Sequence, residues 1–476
     1  MAQLPGSKIS EVVMKDKIAH ICARFRAALN FGAAFWLATA LLVVLSLPGA
    51  MALRNSLLVV LLIIVFRDLR AMQLILVRPD VRIVSIAFGA LLAWMLCVAL
   101  FIAPEPTLSL RAFAGEWGRA LVMAVVGCGV AFTIHRRLGG QLSSLVVTLI
   151  FFASLLHVIA HDIAAVFKWV ETGAFPSHFE GITDHKWNVT HVFAMLLSAV
   201  GAEIYSRYVF DKPLMNIRMR TLGVAAVLGL FALLTASSTN GWIVAILLTL
   251  FLVVLVSLMA PVRTDSAHAR PRPKAFLVLG FAFATLGVIA IANDPRYDGF
   301  LESVAIGWDT ENTRNWLDAE HTGNFPLRAN GVGVDHSTYS RVAFAKEGFK
   351  LLMEHPLGTE ISKHTFTRLI AQKHGVAPMS PSHIGLIDLG LNVGFPGVIL
   401  WLVFLAGLAW IGWFTVMRSC NALGLCLLFL VTGFSLRMMV DSTLQDHMLE
   451  QFMFCAGMLS VACVWPRSQE GAPLGE

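Results

Sequence analysis

Arg341 and His383 have side chains of the types that suit anion binding and acid–base chemistry. Histidine titrates near neutral pH, so His383 can act as a base toward a hydroxyl group. Arginine binds phosphate oxygens through two parallel N–H bonds and stabilises charge on a phosphate leaving group. No carboxylate pair of the kind that glycosidases use stands near either residue in the sequence. The two residues therefore suit a transfer in which a hydroxyl displaces a phosphate or diphosphate.

His383 stands at the boundary between a polar and an apolar segment. It is the only basic side chain in Ser380–Gly397, whose sequence is SPSHIGLIDLGLNVGFPG. The Ser-Pro-Ser triplet predicts a turn, and the residues up to Leu391 predict a short interfacial helix. Gly394–Gly397 predicts a bend into the next apolar span. We therefore expect His383 at the level of the lipid headgroups, where it either contacts substrate or makes a hydrogen bond that closes the turn.

Arg341 falls within a predicted amphipathic helix. In the stretch HSTYSRVAFAKEGFKLLMEHPLG, apolar residues recur at the spacing of one helix face, at Val342, Phe344, Phe349, Leu351 and Leu352. Ser337 is the predicted N-cap, and the His-Pro pair after the apolar run is the predicted end. We therefore predict a helix over Tyr339–Met353 near the membrane surface, with Arg341 in its first turn. There Arg341 either binds phosphate or pairs with Asp335 or another acid of the loop.

The composition of the chain places these residues in a membrane protein. Of 476 residues, 57% are hydrophobic and only 14% are charged. Several apolar runs reach about 18 residues, enough to cross a bilayer as helices, and they lack the alternation of β-barrel strands. The sequence therefore predicts an all-α polytopic membrane protein with twelve spans, at 28–47, 52–66, 83–103, 119–134, 142–166, 189–206, 221–237, 241–260, 275–292, 396–417, 421–438 and 449–465.

Basic residues cluster on one side of these predicted spans. Lys and Arg precede the first span and follow the second, fourth, sixth and eighth, whereas the short loops on the other side carry few. The positive-inside rule then places both termini in the cytoplasm and the long loop after the ninth span on the outer face. Since the net charge of +6 follows from this anchoring, the expected partner is the lipid bilayer and not nucleic acid.

The loop from about Ala292 to Pro381 is long, polar and mixed in charge. A loop of this length in a compact protein is usually functional or disordered, and the predicted helix within it argues against disorder. We therefore divide the chain into spans one to nine (1–292), the loop with the substrate and catalytic region (293–382), a re-entrant segment with the last three spans (383–466) and a cytoplasmic tail (467–476).

Two motifs resemble those of a known family. Ser340–Phe366 resembles the Arg, amphipathic helix, Pro-Leu-Gly and aromatic pattern of the bacterial O-antigen ligase and polymerase superfamily. His383 followed eleven residues later by Gly394–Gly397 (GFPG) is similar to the second hallmark of that superfamily, a histidine ahead of Gly-x-x-Gly. The segment Leu233–Trp242 (LLTASSTNGW) and the predicted layout of spans extend the resemblance.

The sequence departs from the superfamily pattern at two positions. Ile384 follows the histidine where members usually have Asn, Ser or Gln, and Asn240 stands where members often have Arg. If that Arg contacts the lipid-linked phosphate, Asn240 supplies a hydrogen bond without the charge. Another cation of this chain is then needed to compensate.

The resemblance implies a membrane glycosyltransferase of GT-C-like architecture, active at the periplasmic face of the bacterial inner membrane. In the ligase branch the donor is a glycan linked to undecaprenyl diphosphate, the acceptor is a sugar hydroxyl of lipid A–core oligosaccharide, and neither a cofactor nor a metal is required. Arg341 and His383 match the implied catalytic positions, and direct attack by the acceptor would invert the anomeric carbon. An O-antigen polymerase or a protein O-oligosaccharyltransferase of the same superfamily is the alternative. A lipid-linked glycan transporter is disfavoured because the sequence has no internal repeat.

Further polar residues are candidates for binding the diphosphate, namely Arg328, His336, His185, Lys186, Asn240, Arg437 and Asp441. Arg328 and His336 equally suit a solvated loop face, and the residues around His185 suit an ordinary interface anchor beside a tryptophan. Arg437 and Asp441, four residues apart at the outer end of the eleventh span, either orient the site or simply pair with each other.

His157, His161 and Asp162 lie within the fifth span, and the two histidines have the i, i+4 spacing of metal ligands. Polar side chains inside a span commonly pack against one another or line a cavity. We therefore favour a packing or lining role for these three residues over a metal site.

Overall fold

The computed structural model describes residues 32–68, 78–138, 141–176, 178–183, 186–236, 245–250, 254, 285, 299–378, 380–444 and 446–465. Throughout these residues the regular structure is helical. The helices are α1 (Ala33–Leu45), α2 (Met51–Val65), α3 (Pro79–Cys97), α4 (Pro106–Phe113), α5 (Arg119–Leu138), α6 (Leu142–Thr172), α7 (Lys186–Val209), α8 (Met219–Ala236), α9 (Phe300–Trp308), α10 (His336–Glu354), α11 (Thr365–His374), α12 (Gly385–Ser419), α13 (Leu423–Met438) and α14 (Asp446–Val464). Single π-helical turns at Val98–Ile102 and Ala114–Gly118 extend α3 and join α4 to α5, and short 3₁₀ or helical turns occupy Phe66–Asp68, Arg314–Leu317 and Ala319–Thr322.

The prediction of an all-α membrane protein is confirmed. In the described part of the chain, seven helices are long and apolar enough to cross a bilayer: Pro79–Ile102, Pro106–Arg136, Leu142–Thr172, Asn188–Val209, Met219–Ala236, Gly385–Ser419 and His447–Val464. Three shorter helices, α1, α2 and α13, are also apolar. These helices coincide with predicted spans, whereas most of the eighth predicted span and all of the ninth except residue 285 lie outside the described residues. The total of twelve spans stays a prediction.

The large loop folds into a compact helical unit. Helices α9 and α10 pack on each other, and α10 and α11 pack on the first turns of α12. Their shared core consists of Trp316, Leu317, Val334, Tyr339, Ala343, Phe344, Leu351, Leu352, Phe366, Leu369, Ile370 and Leu391. Burying each of these large apolar side chains contributes about 1.5–3 kcal/mol to stability. This loop core therefore holds α10 rigidly against the re-entrant segment.

Helix α10 begins earlier than predicted. It runs from His336 to Glu354, and its N-cap is Asp335 in place of the predicted Ser337. The Asp335 carboxylate accepts a hydrogen bond of 2.7 Å from the backbone N–H of Thr338, and its negative charge suits the positive end of the helix dipole. The cap places Arg341 in the second turn, whereas the sequence predicted the first.

Helix α12 is interrupted where the sequence predicted a bend. Gly394 has φ +66° and ψ −174°, and Pro396 follows two residues later without a backbone N–H. At the break, three backbone carbonyls accept hydrogen bonds from outside α12 in place of the usual helical N–H. The Thr359 amide bonds the carbonyls of Leu391 at 3.0 Å and Asn392 at 3.3 Å, and Trp94 Nε1 donates to that of Val393 at 2.7 Å. The first turns of α12 can therefore lie at an angle to the rest without an unpaired polar group inside the membrane.

The two motifs that carry the family resemblance contact each other at this break. The Phe395 amide donates to the Pro356 carbonyl at 2.9 Å, so the Pro-Leu-Gly segment closes onto the Gly-Phe-Pro-Gly segment. Gly358, at φ +87°, lies directly against the backbone of Asn392 and Val393. Since only glycine permits both the positive φ and this close approach, the two motifs form one backbone junction between α10 and α12.

We expect Gly394→Ala to destabilise the protein. A Cβ at Gly394 would run into the backbone of Pro356 and Leu357, and its φ and ψ lie in a region that L-residues avoid at a cost of about 1–3 kcal/mol. The expected loss of unfolding free energy is at least about 2 kcal/mol, measured as a lower midpoint in thermal unfolding of the purified chain. The matched control is Gly89→Ala in α3, where an added Cβ meets open space and the backbone is helical. Equal midpoints for the two variants would contradict a rigid junction.

Candidate active site

Arg341 extends from α10 to the loop that follows α13. Its Nη1 donates a hydrogen bond of 3.0 Å to the carbonyl of Val440, and its Nη2 lies 3.9 Å from Asp441 Oδ1. The side chain keeps 30% of its surface exposed. Arg341 is therefore anchored at one end of its guanidinium and accessible to a ligand at the other.

Asp441 lies between two arginines. Its Oδ2 accepts a bond of 2.8 Å from Nη2 of Arg437, which is only 1% exposed and also donates to Thr190 Oγ1 on α7. Its Oδ1 faces Arg341. A buried guanidinium needs a partner of opposite charge, and the Arg437–Asp441 pair provides it. Asp441 in turn draws Arg341 toward the end of α13, so the i, i+4 spacing noted in the sequence corresponds to a real ion pair.

His383 completes the cluster. Its ring lies parallel to that of Phe344 on α10, with 6.3 Å between ring centroids and 18° between planes. It is close enough to Arg341 and Asp441 to interact electrostatically with both. The next helix starts at Gly385, whose amide donates to the Asp441 carbonyl at 3.2 Å. Among the described residues the His383 ring has no hydrogen-bond partner, which leaves both ring nitrogens to a ligand. We call Arg341, His383, Arg437 and Asp441 the site cluster.

A tight polar turn holds His383 in place. The Ser382 amide donates to Asp388 Oδ1 at 3.3 Å, and Ser442 Oγ donates to Asp388 Oδ2 at 2.5 Å. Ser382 Oγ also accepts a bond of 3.1 Å from the Ile384 amide. Between these contacts His383 adopts φ +59°, in the left-handed region that non-glycine residues rarely occupy. Asp388 thus ties the histidine turn to the loop that carries Asp441.

The surroundings of His383 keep its ring neutral. The pKa of His383 is lowered from 6.5 to about 4, mainly by burial; the positive charge of Arg341 acts in the same direction, and the negative charge of Asp441 opposes the shift. At neutral pH the ring therefore has a free nitrogen lone pair. A neutral imidazole can accept a proton, which an imidazolium cannot.

The site cluster offers one accessible cation and one neutral base at the boundary of the loop and the spans. Arg341 and Arg437 carry two positive charges, and Asp441 offsets one of them. The remaining positive charge attracts an anion, and the exposed part of Arg341 is where an anion can reach it. The geometry suits a reaction in which charge develops on an anionic group beside Arg341 while His383 handles a proton.

The other predicted loop residues lie near the cluster in sequence but contact different partners. The His336 ring stacks on Phe325 with centroids 3.6 Å apart. Arg328 lies against Gly299 in a turn that is closed by the Leu327–Gly333 bridge. The role of both residues in binding the diphosphate stays a prediction. His185 and Asn240 lie outside the described residues, and for Lys186 only the backbone, at the start of α7, is described.

His157, His161 and Asp162 are buried on α6. His161 Nε2 lies 2.9 Å from Thr235 Oγ1 on α8, and its ring packs beside Phe179. The hydroxyl partner and the aromatic neighbour fit the packing role favoured from the sequence. His157 interacts electrostatically with His161 and with His447 of α14.

Several residues of the site escaped prediction. Thr190 and the Val440 carbonyl contact the cluster, and Asp388 bonds Ser442 beside Asp441 and Ser382 beside His383, yet these residues come from segments up to about 250 positions apart. Asp388 had a sequence signal, as the single acid in the segment that contains His383. Ser442 and Val440 flank Asp441, and attention to the residues on either side of that candidate would have found them.

Comparison with known proteins adds no family assignment. No protein-family model matches the chain, and no curated protein matches it.

Proposed function

We propose that this chain is an O-antigen ligase. It transfers a glycan from undecaprenyl diphosphate to a sugar hydroxyl of lipid A–core at the periplasmic face of the bacterial inner membrane, with both termini in the cytoplasm. The observation that carries the proposal is the convergence of Arg341 and His383 at Asp441, above a junction made by the Pro-Leu-Gly and Gly-Phe-Pro-Gly motifs. The apolar helices that surround this site suit a lipid-linked donor.

In this reaction the bond between the anomeric carbon and the diphosphate oxygen breaks, and the acceptor oxygen bonds to the same carbon from the opposite face. Undecaprenyl diphosphate leaves with the bonding electrons, so negative charge grows on its oxygens. The exposed N–H groups of Arg341 stabilise that charge, while its bonds to Val440 and Asp441 fix the guanidinium beforehand. Arg437 is buried, and it supports this arrangement through Asp441.

His383 accepts the proton that the acceptor hydroxyl loses. The ring is neutral at physiological pH because burial and Arg341 lower its pKa, so one ring nitrogen has the lone pair that accepts the proton. After transfer the imidazolium lies near the departing diphosphate and Asp441, both of which favour the charged form. The same position equally suits a hydrogen bond from His383 to the diphosphate, and the variants described in the Discussion separate these two roles.

We expect the activity to persist well below the ordinary pKa of histidine. Since His383 must be neutral to accept a proton, kcat/KM falls as pH drops through its pKa in the free enzyme, which is about 4. The acidic limb of the kcat/KM profile should thus be centred near 4, while an unshifted histidine would give a limb near 6.5. The measurement is initial transfer rate against pH with purified donor and acceptor, with helicity checked at each pH. A limb near 6.5 in folded protein would contradict the buried, cation-flanked base.

Deletion of the gene tests the proposed function. A ligase mutant is expected to lose the long-chain bands on a gel of extracted lipopolysaccharide and to accumulate the undecaprenyl-linked polymer. Expression of the intact chain from a plasmid should restore the bands, and the empty plasmid is the control.

Other outcomes of the gene deletion would indicate a different function, within the superfamily or outside it. Core capped with a single repeat unit indicates a polymerase. An unchanged lipopolysaccharide pattern with lost protein glycosylation indicates a protein O-oligosaccharyltransferase. A polymer that is trapped on the cytoplasmic side indicates a transporter. Each of these results overturns the ligase proposal.

A further inference from the structure

A cavity of about 290 Å³ lies at the far end of the helix bundle from the site cluster. It is bounded by the last turns of α12 and α14 and by residues at the starts of α3, α6 and α13. Helix α12 connects the two places, since it begins beside Asp441 and ends at Ser419 on the cavity wall. The 25 residues of α12 after the break, 395–419, span roughly 37 Å at 1.5 Å per residue, more than the hydrocarbon core of a bilayer. The cavity is thus at the opposite membrane face, predicted to be cytoplasmic.

Two arginines line this cavity without a carboxylate partner among the described residues. Arg78 immediately precedes α3, and Arg418 lies in the last turn of α12 with its guanidinium 4.0 Å from the centre of the Phe414 ring. Asp80 supplies the one carboxylate among the described residues of the lining, so the fixed charges sum to +1. Other arginines of the same face do have acidic partners, such as Arg136 with Asp68 at 2.8 Å. The cavity is therefore a local excess of positive charge that an anion would neutralise.

The lining also offers neutral hydrogen-bonding groups. Asn421 Nδ2 donates to Ser143 Oγ at 3.2 Å on one wall. The indole Nε1 of Trp465 is buried on the lining and has no hydrogen-bond partner among the described residues. Asn421 and Ser143 therefore add neutral polar groups to the lining beside the two arginines.

One wall of the cavity faces lipid. Trp410 of α12 lines the cavity and is 61% exposed on the surface of an apolar helix. Tryptophan is favoured at the boundary between headgroups and acyl chains, where its ring is apolar and its N–H polar. A molecule bound by the arginines can therefore extend acyl chains along α12 beside Trp410. Free phosphate has no acyl chains and would not contact this apolar wall.

We propose that this cavity binds the headgroup of an anionic phosphoglyceride from the bilayer. Arg78 and Arg418 contact the phosphate. Asp80 accepts a hydrogen bond from a headgroup hydroxyl, as phosphatidylglycerol provides. The net charge of −1 on that lipid matches the +1 of the lining. This lipid site is independent of the proposed transferase reaction.

The test is native mass spectrometry of the full-length chain in detergent, titrated with short-chain phosphatidylglycerol. The wild-type protein is expected to bind one such lipid about tenfold more tightly than phosphatidylcholine of the same chain length. Arg78→Gln combined with Arg418→Gln should lower that affinity about tenfold or more. The matched control is Arg220→Gln, because Arg220 is an exposed arginine at the start of α8 that lies outside the cavity lining.

A variant at Ser419 tests the same site in case the double arginine variant fails to fold. Ser419 is exposed and lines the cavity, so Ser419→Glu should fold and should repel the phosphate, whereas Ser419→Gln should bind like wild type. Equal lipid affinity for the Glu and Gln variants, or for the double arginine variant and Arg220→Gln, would overturn the proposal. Binding of inorganic phosphate with no preference for the lipid would also overturn it.

Discussion

Replacing His383 with Ala is expected to lower kcat for glycan transfer by at least about 100-fold, because general-base catalysis typically contributes that much. His383 is the neutral imidazole of the site cluster, with both ring nitrogens free among the described residues and with Arg341 nearby. The measurement is transfer from purified lipid-linked donor to lipid A–core in detergent, with the amount of inserted protein quantified on the same sample.

His383→Asn decides between the roles of base and diphosphate ligand. Since His383 has φ +59°, alanine adds backbone strain there, whereas asparagine tolerates the left-handed region and still donates a hydrogen bond. A base is lost in both variants, so both should be equally inactive. A diphosphate ligand is partly replaced by the Asn amide, so His383→Asn should then keep a large share of activity.

His364→Ala serves as the matched control for this prediction. His364 is an exposed histidine of the same loop, at the N-terminus of α11, and it has no contact with the site cluster. Its replacement should leave kcat unchanged. Near-normal transfer by His383→Ala, at equal protein level, would remove His383 from the reaction.

Much of the membrane architecture could be predicted because it follows from composition. A long apolar run must be a helix in a bilayer, since no other local structure pairs its own backbone groups. The break at Gly394 was also predictable, because a glycine and a nearby proline without an N–H leave few alternatives. The N-cap of α10 was misplaced because Ser337 and Asp335 are both good caps. Only the surrounding packing decides between them.

The candidate site was predictable in its residue types and much less in its contacts. The motifs that resemble the superfamily point to Arg341 and His383, whose side chains suit the chemistry, and the structure places both near Asp441. The bridging role of Asp441 could not be read from the sequence, because 100 positions separate it from Arg341. Contacts between residues so far apart in the sequence depend on how the helices pack, and no local sequence pattern predicts them. The docking of Pro356 on Phe395 escaped prediction for the same reason, although both motifs had been recognised.

Replacing Arg341 with Lys is expected to lower kcat about 100-fold or more, the usual effect of removing one donor that stabilises transition-state charge. Lysine keeps the positive charge, but it is a single point charge without the planar fork of arginine. Arg341 uses Nη1 for the Val440 carbonyl and aims Nη2 at Asp441, so its remaining N–H groups are held in one orientation. A lysine at this position can donate to the Val440 carbonyl or to the diphosphate, but its single ammonium group cannot hold both bonds in a fixed geometry.

Comparison with a second arginine of the loop isolates this geometric effect. Arg314 is exposed in the short turn Arg314–Leu317, so Arg314→Lys changes the same chemical group without touching the site cluster. We expect wild-type kcat and KM for Arg314→Lys, and for Arg341→Lys a loss mainly in kcat, because the leaving diphosphate gains charge during the reaction. If Arg341→Lys raised only KM for the donor, the guanidinium would bind the ground state and transition state equally. Equal kinetics for Arg341→Lys and the wild type would reduce Arg341 to a general cation, and the fixed fork held by Val440 and Asp441 would have no part in the transfer.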